Sequence, residues 1–352
     1  MFLKNNRTYN LNHRAYFEID EHDSLLFSAS REGAITITDL QTEVQSNLRF
    51  GKDIADISFS KSQNIISIIE QATGNLVFLD FQGNLLHVEE PPRFATDYPE
   101  TIHYGFLACY FDEFEKYFWC AVLTSDLMVE IQLRDVDGRR ILDKVQLEDP
   151  LGDSHFSFHS TNKPDFVSLW IAAGQDGQEI CWLEIIDNRL ICKIDSNFSE
   201  TTPPAFSPDG AKFLVLENYD AIGCYRYPTL KLGSCEWHLD DDDGFAEHIA
   251  FTSADYAIVK SNEGRIFLIE VNEMKIVDEL IIEDHAPLPE PHYYPNLKGD
   301  NLCTNLSRFY KINNNIVFVF NRDTDLKVDD WKDSLIVIPI SSILEEIKQI
   351  NQ

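Results

Sequence analysis

Positive charge is scarce in this chain of 352 residues: 29 lysines and arginines stand against 59 aspartates and glutamates, a formal charge of −30. An acid excess of this size repels phosphate backbones and anionic lipid surfaces, so neither nucleic acid nor membrane is expected as a direct partner. It would steer in a basic one. Long apolar runs are missing too. The longest, such as 335–340, are strand-sized and too short to span a bilayer. The start, Met-Phe-Leu-Lys-Asn-Asn-Arg-Thr, turns polar at residue 4 and lacks the apolar centre of a secretory signal. A cytoplasmic monomer is the expectation, and the glycosylation triplets at Asn6, Asn197 and Asn305 would matter only in a secreted chain.

Cys-x-x-Cys is absent, and the seven cysteines are an odd number without disulfide-framework or zinc spacing. Cys109/Cys120, Cys181/Cys192 and Cys224/Cys235 are each eleven apart with a turn near the midpoint. The two thiols of each pair would face each other across antiparallel strands. Bridging adjacent strands strains a disulfide and the cytoplasm is reducing, so free thiols are expected.

The marks of catalysis are missing as well. No His-Glu-x-x-His, Gly-x-Ser-x-Gly, Gly-x-x-x-x-Gly-Lys or Gly-x-Gly-x-x-Gly occurs. Ser58-Phe-Ser-Lys61 fits Ser-x-x-Lys, but it ends a strand and has no supporting motif. The run Asp240 to Asp243 before Gly244 fails as a calcium loop, because that register puts Leu239 first and Ala250 twelfth. It reads as a solvated acidic turn. His155 and His159 share a strand face, but only Asp153 stands near them as a carboxylate. No catalytic residue, cofactor or metal ligand is therefore assigned.

What is present is a repeat. Phe206 ends a strand, Ser207-Pro-Asp-Gly210 makes a tight turn, Lys212 to Glu217 is a second strand, and Ala221 to Tyr227 a third. Sliding this unit along the chain places a phenylalanine at the end of a first strand seven times, at Phe17, Phe59, Phe111, Phe158, Phe206, Phe251 and Phe309. The intervals run from 42 to 58 residues, around the ~40–50 of a four-stranded blade. The string Ser30-Arg-Glu-Gly-Ala-Ile-Thr-Ile-Thr-Asp39 parallels Ser261-Asn-Glu-Gly-Arg-Ile-Phe-Leu-Ile-Glu270, and Gly74-Asn-Leu-Val-Phe-Leu-Asp80 is a third copy. Alternation of this length signals strands, and helical periodicity is nearly absent.

On these residues the chain resembles the WD-repeat and related propellers, in which a Phe-Ser-Pro-Asp-Gly turn precedes the second strand and an Asp closes the third. Two departures mark it as divergent. No Gly-His dipeptide occurs, and the tryptophan before the closing acid is replaced by Thr38, Leu79 and Ile269. The resemblance implies an all-β, seven-bladed β-propeller over 1–340 held by apolar packing of blade on blade. The last blade lacks a fourth strand, so Phe2 to Leu11 is expected to supply it and close the ring. Residues 341–352 are expected to form a short amphipathic helix, capped by Ser342-Ile-Leu-Glu345 and packed by Ile343, Leu344, Ile347 and Ile350.

Long loops on a rigid frame are where binding resides. The loop 283–301 carries His292, Tyr293 and Tyr294, and 322–333 carries Asp323, Asp325, Asp329, Asp330 and Trp331. Aromatics rimmed by acids suit a basic protein segment. The expected function is thus a non-catalytic protein–protein interaction scaffold. A metal-dependent propeller hydrolase or lactonase with its site in the central channel is the alternative, and it needs acids and histidines converging from several first strands.

Overall fold

The structure is a computed structural model. It describes residues 2–3, 7–10, 15–19, 25–30, 32–39, 42, 44–93, 105–125, 128–148, 154–172, 177–195, 198, 202–217, 221–228, 230–236, 246–261, 266–282, 308–312, 314–321 and 333–350. These form seven sheets and one helix. All seven phenylalanine anchors lie on the first strand of a sheet. No helix among the described residues is long and apolar enough to cross a membrane.

Residues Ala15–Ser199 make one compact unit of four sheets. Sheet one is β3 (Ala15–Ile19), β4 (Leu25–Ser30), β5 (Ala34–Asp39) and β6 (Gln45–Arg49). Sheet two is β7 (Ile54–Ser60), β8 (Ile65–Glu70), β9 (Leu76–Asp80) and β10 (Leu85–Glu89). Sheet three is β11 (Phe106–Phe111), β12 (Phe118–Ser125), β13 (Met128–Arg134) and β14 (Ile141–Glu148), and sheet four is β15 (His155–Lys163), β16 (Phe166–Ala172), β17 (Gln178–Ile186) and β18 (Arg189–Asp195). Each is an antiparallel meander in chain order.

The inner strands are apolar without a break because both of their faces are covered. In β8, Ile66 and Ile68 pack toward sheet one with Phe27 and Ile35, while Ile65 and Ile69 pack toward sheet three with Phe111 and Phe118. The anchors Phe59, Phe111 and Phe158 each point at the preceding sheet, and Phe27 stacks on Phe59 with ring centroids 4.3 Å apart. Outer strands are the exposed ones, as in β10, where Leu85 is 63% exposed.

Residues Met1–Arg14 and Glu200–Gln352 make the second unit. It contains sheet five, β19 (Ala205–Phe206), β20 (Phe213–Glu217), β21 (Ala221–Arg226) and β22 (Leu230–Glu236). Sheet six is β23 (Ala246–Phe251), β24 (Tyr256–Ser261), β25 (Ile266–Glu270) and β26 (Lys275–Ile282). Sheet seven has three consecutive strands, β27 (Arg308–Ile312), β28 (Asn315–Asn321) and β29 (Asp333–Pro339). The Ser207-Pro-Asp-Gly turn forms as its residues dictate: Gly210 has φ +63°, its N–H donates to Ser207 O at 2.8 Å, and the Ser207 hydroxyl accepts from Lys212 N at 3.0 Å.

The N-terminal segment supplies the missing strand, but not as one piece. Strand β2 (Arg7–Asn10) pairs antiparallel with β29, Arg7 opposite Val337. Strand β1 (Phe2–Leu3) instead joins sheet six, parallel to β26 at Ile281 and Ile282. The expectation that Phe2 to Leu11 serves only the last sheet is corrected: two adjacent outer edges each take a part of it.

Helix α1 (Ile340–Ile350) follows β29 directly, so Ser342 stands inside its first turn and not at its N-cap. The first helical N–H, of Ile340, finds a carbonyl outside the helix instead, Asn314 O at 2.8 Å. Ile340, Ile343 and Ile347 are buried in the core of sheets six and seven with Ile316, Ile336 and Leu268. The apolar stripe is thus docked.

Of the cysteine pairs only Cys109 and Cys120 stand directly opposite. Cys181 faces Ile194, and Cys224 faces Gly233. The β17–β18 turn is Asp187-Asn188, with φ of 51° and 62°, and it centres one residue beyond the midpoint of the pair, which displaces the partner by two. In the third pair the turn sets Arg226 opposite Leu230, and the bulge at Leu232 recovers only one of the three residues of displacement, so Cys235 faces Ile222. The six cysteines of these pairs are free thiols.

Candidate interaction surfaces

Buried polar side chains in the first unit join sheet to sheet. The Asp56 carboxylate on β7 accepts the N–H of Cys109 on β11 at 2.8 Å, and the Ser58 hydroxyl accepts that of Phe111 at 3.0 Å. Burial pushes Asp56 up to about 7 against the hydrogen bonds that favour its ionised form. Ser58 of the Ser-x-x-Lys string is therefore a tie between strands, and Lys61 gives its backbone N–H to Glu115 Oε1 at 2.6 Å. Glu115 also accepts from Ser62 N, and Lys116 reaches Asp165 at 2.5 Å, so three successive first turns are tied side by side.

A longer network runs between sheets two and three. Arg134 is fully buried and binds Glu89 in bidentate fashion at 2.5 and 2.7 Å. Its guanidinium also reaches Gln132 and Gly138 O, and lies over the Phe106 ring. Gln132 donates to Glu130, which pairs with Lys144 at 2.8 Å. Gly138 has φ +73° and a Cβ there would come 2.6 Å from the Phe78 ring, so this turn seats on sheet two only as glycine. These groups have partners and serve packing.

His155, Ser157 and His159 share one face of β15. The Ser157 hydroxyl and His159 Nε2 are 2.7 Å apart. Burial, and secondarily the charge of His155, pushes His159 down to about 4, and burial lowers His155, so both rings are neutral near pH 7. Among the described residues no three His, Cys, Asp or Glu stand together as a metal-binding group.

A groove at a sheet boundary among the described residues is not filled by such ties. It lies between sheets five and six. Between β21 and β22, Cys224 pairs with Gly233 while Tyr225 pairs with Lys231, so Leu232 of β22 is an extra residue, bulged from the ladder and 42% exposed. Gly233 passes directly over Met274: a Cβ on it would come 3.1 Å from the Met274 side chain. Met274 takes φ +49° at the end of the β25–β26 turn, which tucks its thioether beneath the outer strand. The groove, partly open to solvent, has a volume of about 260 Å³ and is lined by Leu232, Gly233, Ser234, Met274, Cys224 and Lys212 among others. Lys212 Nζ donates to Asn272 Oδ1 at 2.9 Å, and Asn272 donates to Asp255 at 2.8 Å. This chain of bonds fixes the turns on either side of the cavity.

No family model matches the sequence, and no curated protein matches it either. Solved structures do. The crystal structure of the Cps50 (Swd1) β-propeller domain of Myceliophteria thermophila superposes with a TM-score of 0.58 over 95% of this chain and 99% of that one, at 12% identity. The chain is a seven-bladed β-propeller. At that identity the likeness concerns the fold alone, and the blades are the seven sheets described above.

The residues expected to bind a partner, His292, Tyr293, Tyr294, Asp323, Asp325, Asp329, Asp330 and Trp331, lie outside the described residues, as do Asp153 and the Asp240–Gly244 run. Nothing in the sequence singled out the groove between blades five and six. Its one cue is Gly233 in an outer strand, since glycine within a strand marks a bulge or a close backbone approach.

Proposed function

We propose that this propeller is a non-catalytic interaction scaffold that binds a basic protein partner. The observation that carries the reading is the acid excess, 59 against 29, on a frame in which buried groups such as Asp56 and Arg134 tie neighbouring blades together. A surface field of that sign raises the encounter rate with cationic segments and discourages nucleic acid and anionic membranes. The aromatic and acidic loop residues from His292 to Tyr294 and from Asp323 to Trp331 are proposed as one contact region, and the protein as a cytoplasmic monomer.

The test is titration of the full chain with lysine- and arginine-rich peptides at low and high salt, with acidic peptides of the same length as control. Binding that favours the basic series and weakens with salt supports the reading. Equal binding of both series refutes it, and stoichiometric calcium or zinc in the purified protein would move the balance to the metal-dependent hydrolase.

A further inference from the structure

We propose that Cys181 and Cys192 of blade four form a reversible thiol–disulfide pair: Cys192 takes an oxygen atom from a hydroperoxide, and Cys181 displaces it to close an S–S bond between β17 and β18.

Three features of this hairpin single it out. Ile194 stands opposite Cys181 and Leu183 opposite Cys192, so the two cysteines are diagonal neighbours on one face. Their sulfurs are within hydrogen-bonding reach: the Cys181 thiol donates to Cys192, and the backbone N–H of Lys193 reaches back to Cys181 from the second strand. Cys181 is fully buried, whereas Cys192 is half-buried at the margin of the core of sheets three and four. One sulfur therefore meets solvent and the other waits behind it.

The other two pairs lack this combination. Cys109 and Cys120 stand directly opposite but are both buried, and other groups hold them, Cys109 lying 3.6 Å from the Ser67 hydroxyl and Cys120 donating to Gln132 Oε1 at 3.4 Å. Cys224 and Cys235 are also both buried, and Cys235 donates to Glu236 O at 3.6 Å.

The thiolate is the reactive form of a cysteine. Cys192 is held below the ordinary thiol value by the bond from Cys181, while giving that bond, together with burial, raises Cys181. Cys192 thus ionises first. Its sulfur attacks a peroxide oxygen, so that an S–O bond forms, the O–O bond breaks, and water or an alcohol leaves with a proton. The Cys181 sulfur then attacks Cys192: the S–S bond forms, the S–O bond breaks, and the Cys181 proton departs with that oxygen as water. The two thiols lose two electrons and two protons, and the hydroperoxide takes them up. A bridge between diagonal positions is strained, so added thiol reopens it.

The experiment treats the reduced full chain with dilute hydrogen peroxide, blocks the remaining thiols by alkylation and maps the peptides by mass spectrometry. A peptide pair linked through Cys181 and Cys192 should be the first oxidation product, and it should vanish on treatment with dithiothreitol. With dimedone present, Cys181→Ser should accumulate the sulfenic adduct on Cys192 to about tenfold or more above the native chain, because the resolving sulfur is gone. Cys192→Ser should leave Cys181 reduced. The linked peptide is read in the native chain, which keeps the test open should either variant fold poorly. Earlier oxidation of another cysteine, or sulfinic acid at Cys192 with Cys181 still reduced, overturns the proposal.

Discussion

The pair Arg134 and Glu89 should respond asymmetrically to substitution. The Arg134 side chain is 0% exposed and that of Glu89 29%. Glu89→Leu strands a guanidinium that has no route to water. Breaking a buried pair from one side costs about 3–5 kcal/mol. Gln132 and Gly138 still accept from Arg134, so a value near about 3 kcal/mol is expected. Arg134→Met leaves a carboxylate that can rehydrate and keeps an unbranched stem against Phe106, so its cost should be about 1–2 kcal/mol. Combining the two removes the stranded charge, and the double variant should be more stable than Glu89→Leu alone, a non-additive cycle. Urea unfolding followed through tryptophan fluorescence reads this directly, Trp119 being buried in the same blade, provided m is unchanged so that midpoints compare. Equal costs for the two single variants, or a cost under about 1 kcal/mol for Glu89→Leu, would refute the assignment of a desolvated pair.

Asp56 and His159 impose opposite pH dependences. The folded value of Asp56, about 7, lies above its ordinary 3.8, so the stability it contributes is complete below pH 3.8 and is lost as pH rises through about 7. His159, held at about 4 against an ordinary 6.5, binds its proton more readily when unfolded, so stability is lost as pH falls from 6.5 toward 4. Melting temperatures of Asp56→Asn should exceed those of the native chain at pH 8 and fall more steeply under acid; an unchanged profile contradicts this. Deleting residues 1–10 should lower the melting temperature and speed hydrogen exchange in β26 and β29, and unchanged exchange there would count against the pairing. Brief alkylation of the native protein, analysed by mass spectrometry, should modify Cys192, which is half-buried, well before Cys109, Cys120, Cys181, Cys224 or Cys235, all buried. The Cys181 thiol also lowers Cys192 by donating to it. Uniform labelling would place those side chains wrongly.

The architecture was legible because a blade is local. Phe206, its Ser-Pro-Asp-Gly turn and the strand after it lie within a dozen residues, and turn chemistry is dictated by the residues that make it. Strand β8, Ile65–Glu70, could be read from β-branched residues alone, although covering on both faces erased its alternation. Cross-strand register was less legible. It hangs on the turns, the tight one at Asp187-Asn188 and the one between Arg226 and Leu230, and each moved a cysteine out of opposition. The tie between Glu89 and Arg134 joins residues 45 positions apart, a separation that no local pattern encodes. The same holds for the groove, where the backbone of Gly233 meets Met274 from the next blade.

The pairing of Arg7 with Val337 joins residues 330 positions apart in the chain. Four blades, and then a fifth, can assemble as they emerge, but the seventh stays incomplete until the chain has been released beyond Pro339. Strand β2 must remain unpaired until β29 has emerged, while finished sheets accumulate behind it, and a contact of such sequence separation forms slowly. A chain that stops before β29 therefore leaves Arg7–Asn10 with no strand to join, while Phe2–Leu3 can still pair with β26. Such products should expose the edge of the incomplete sheet and be prone to aggregate.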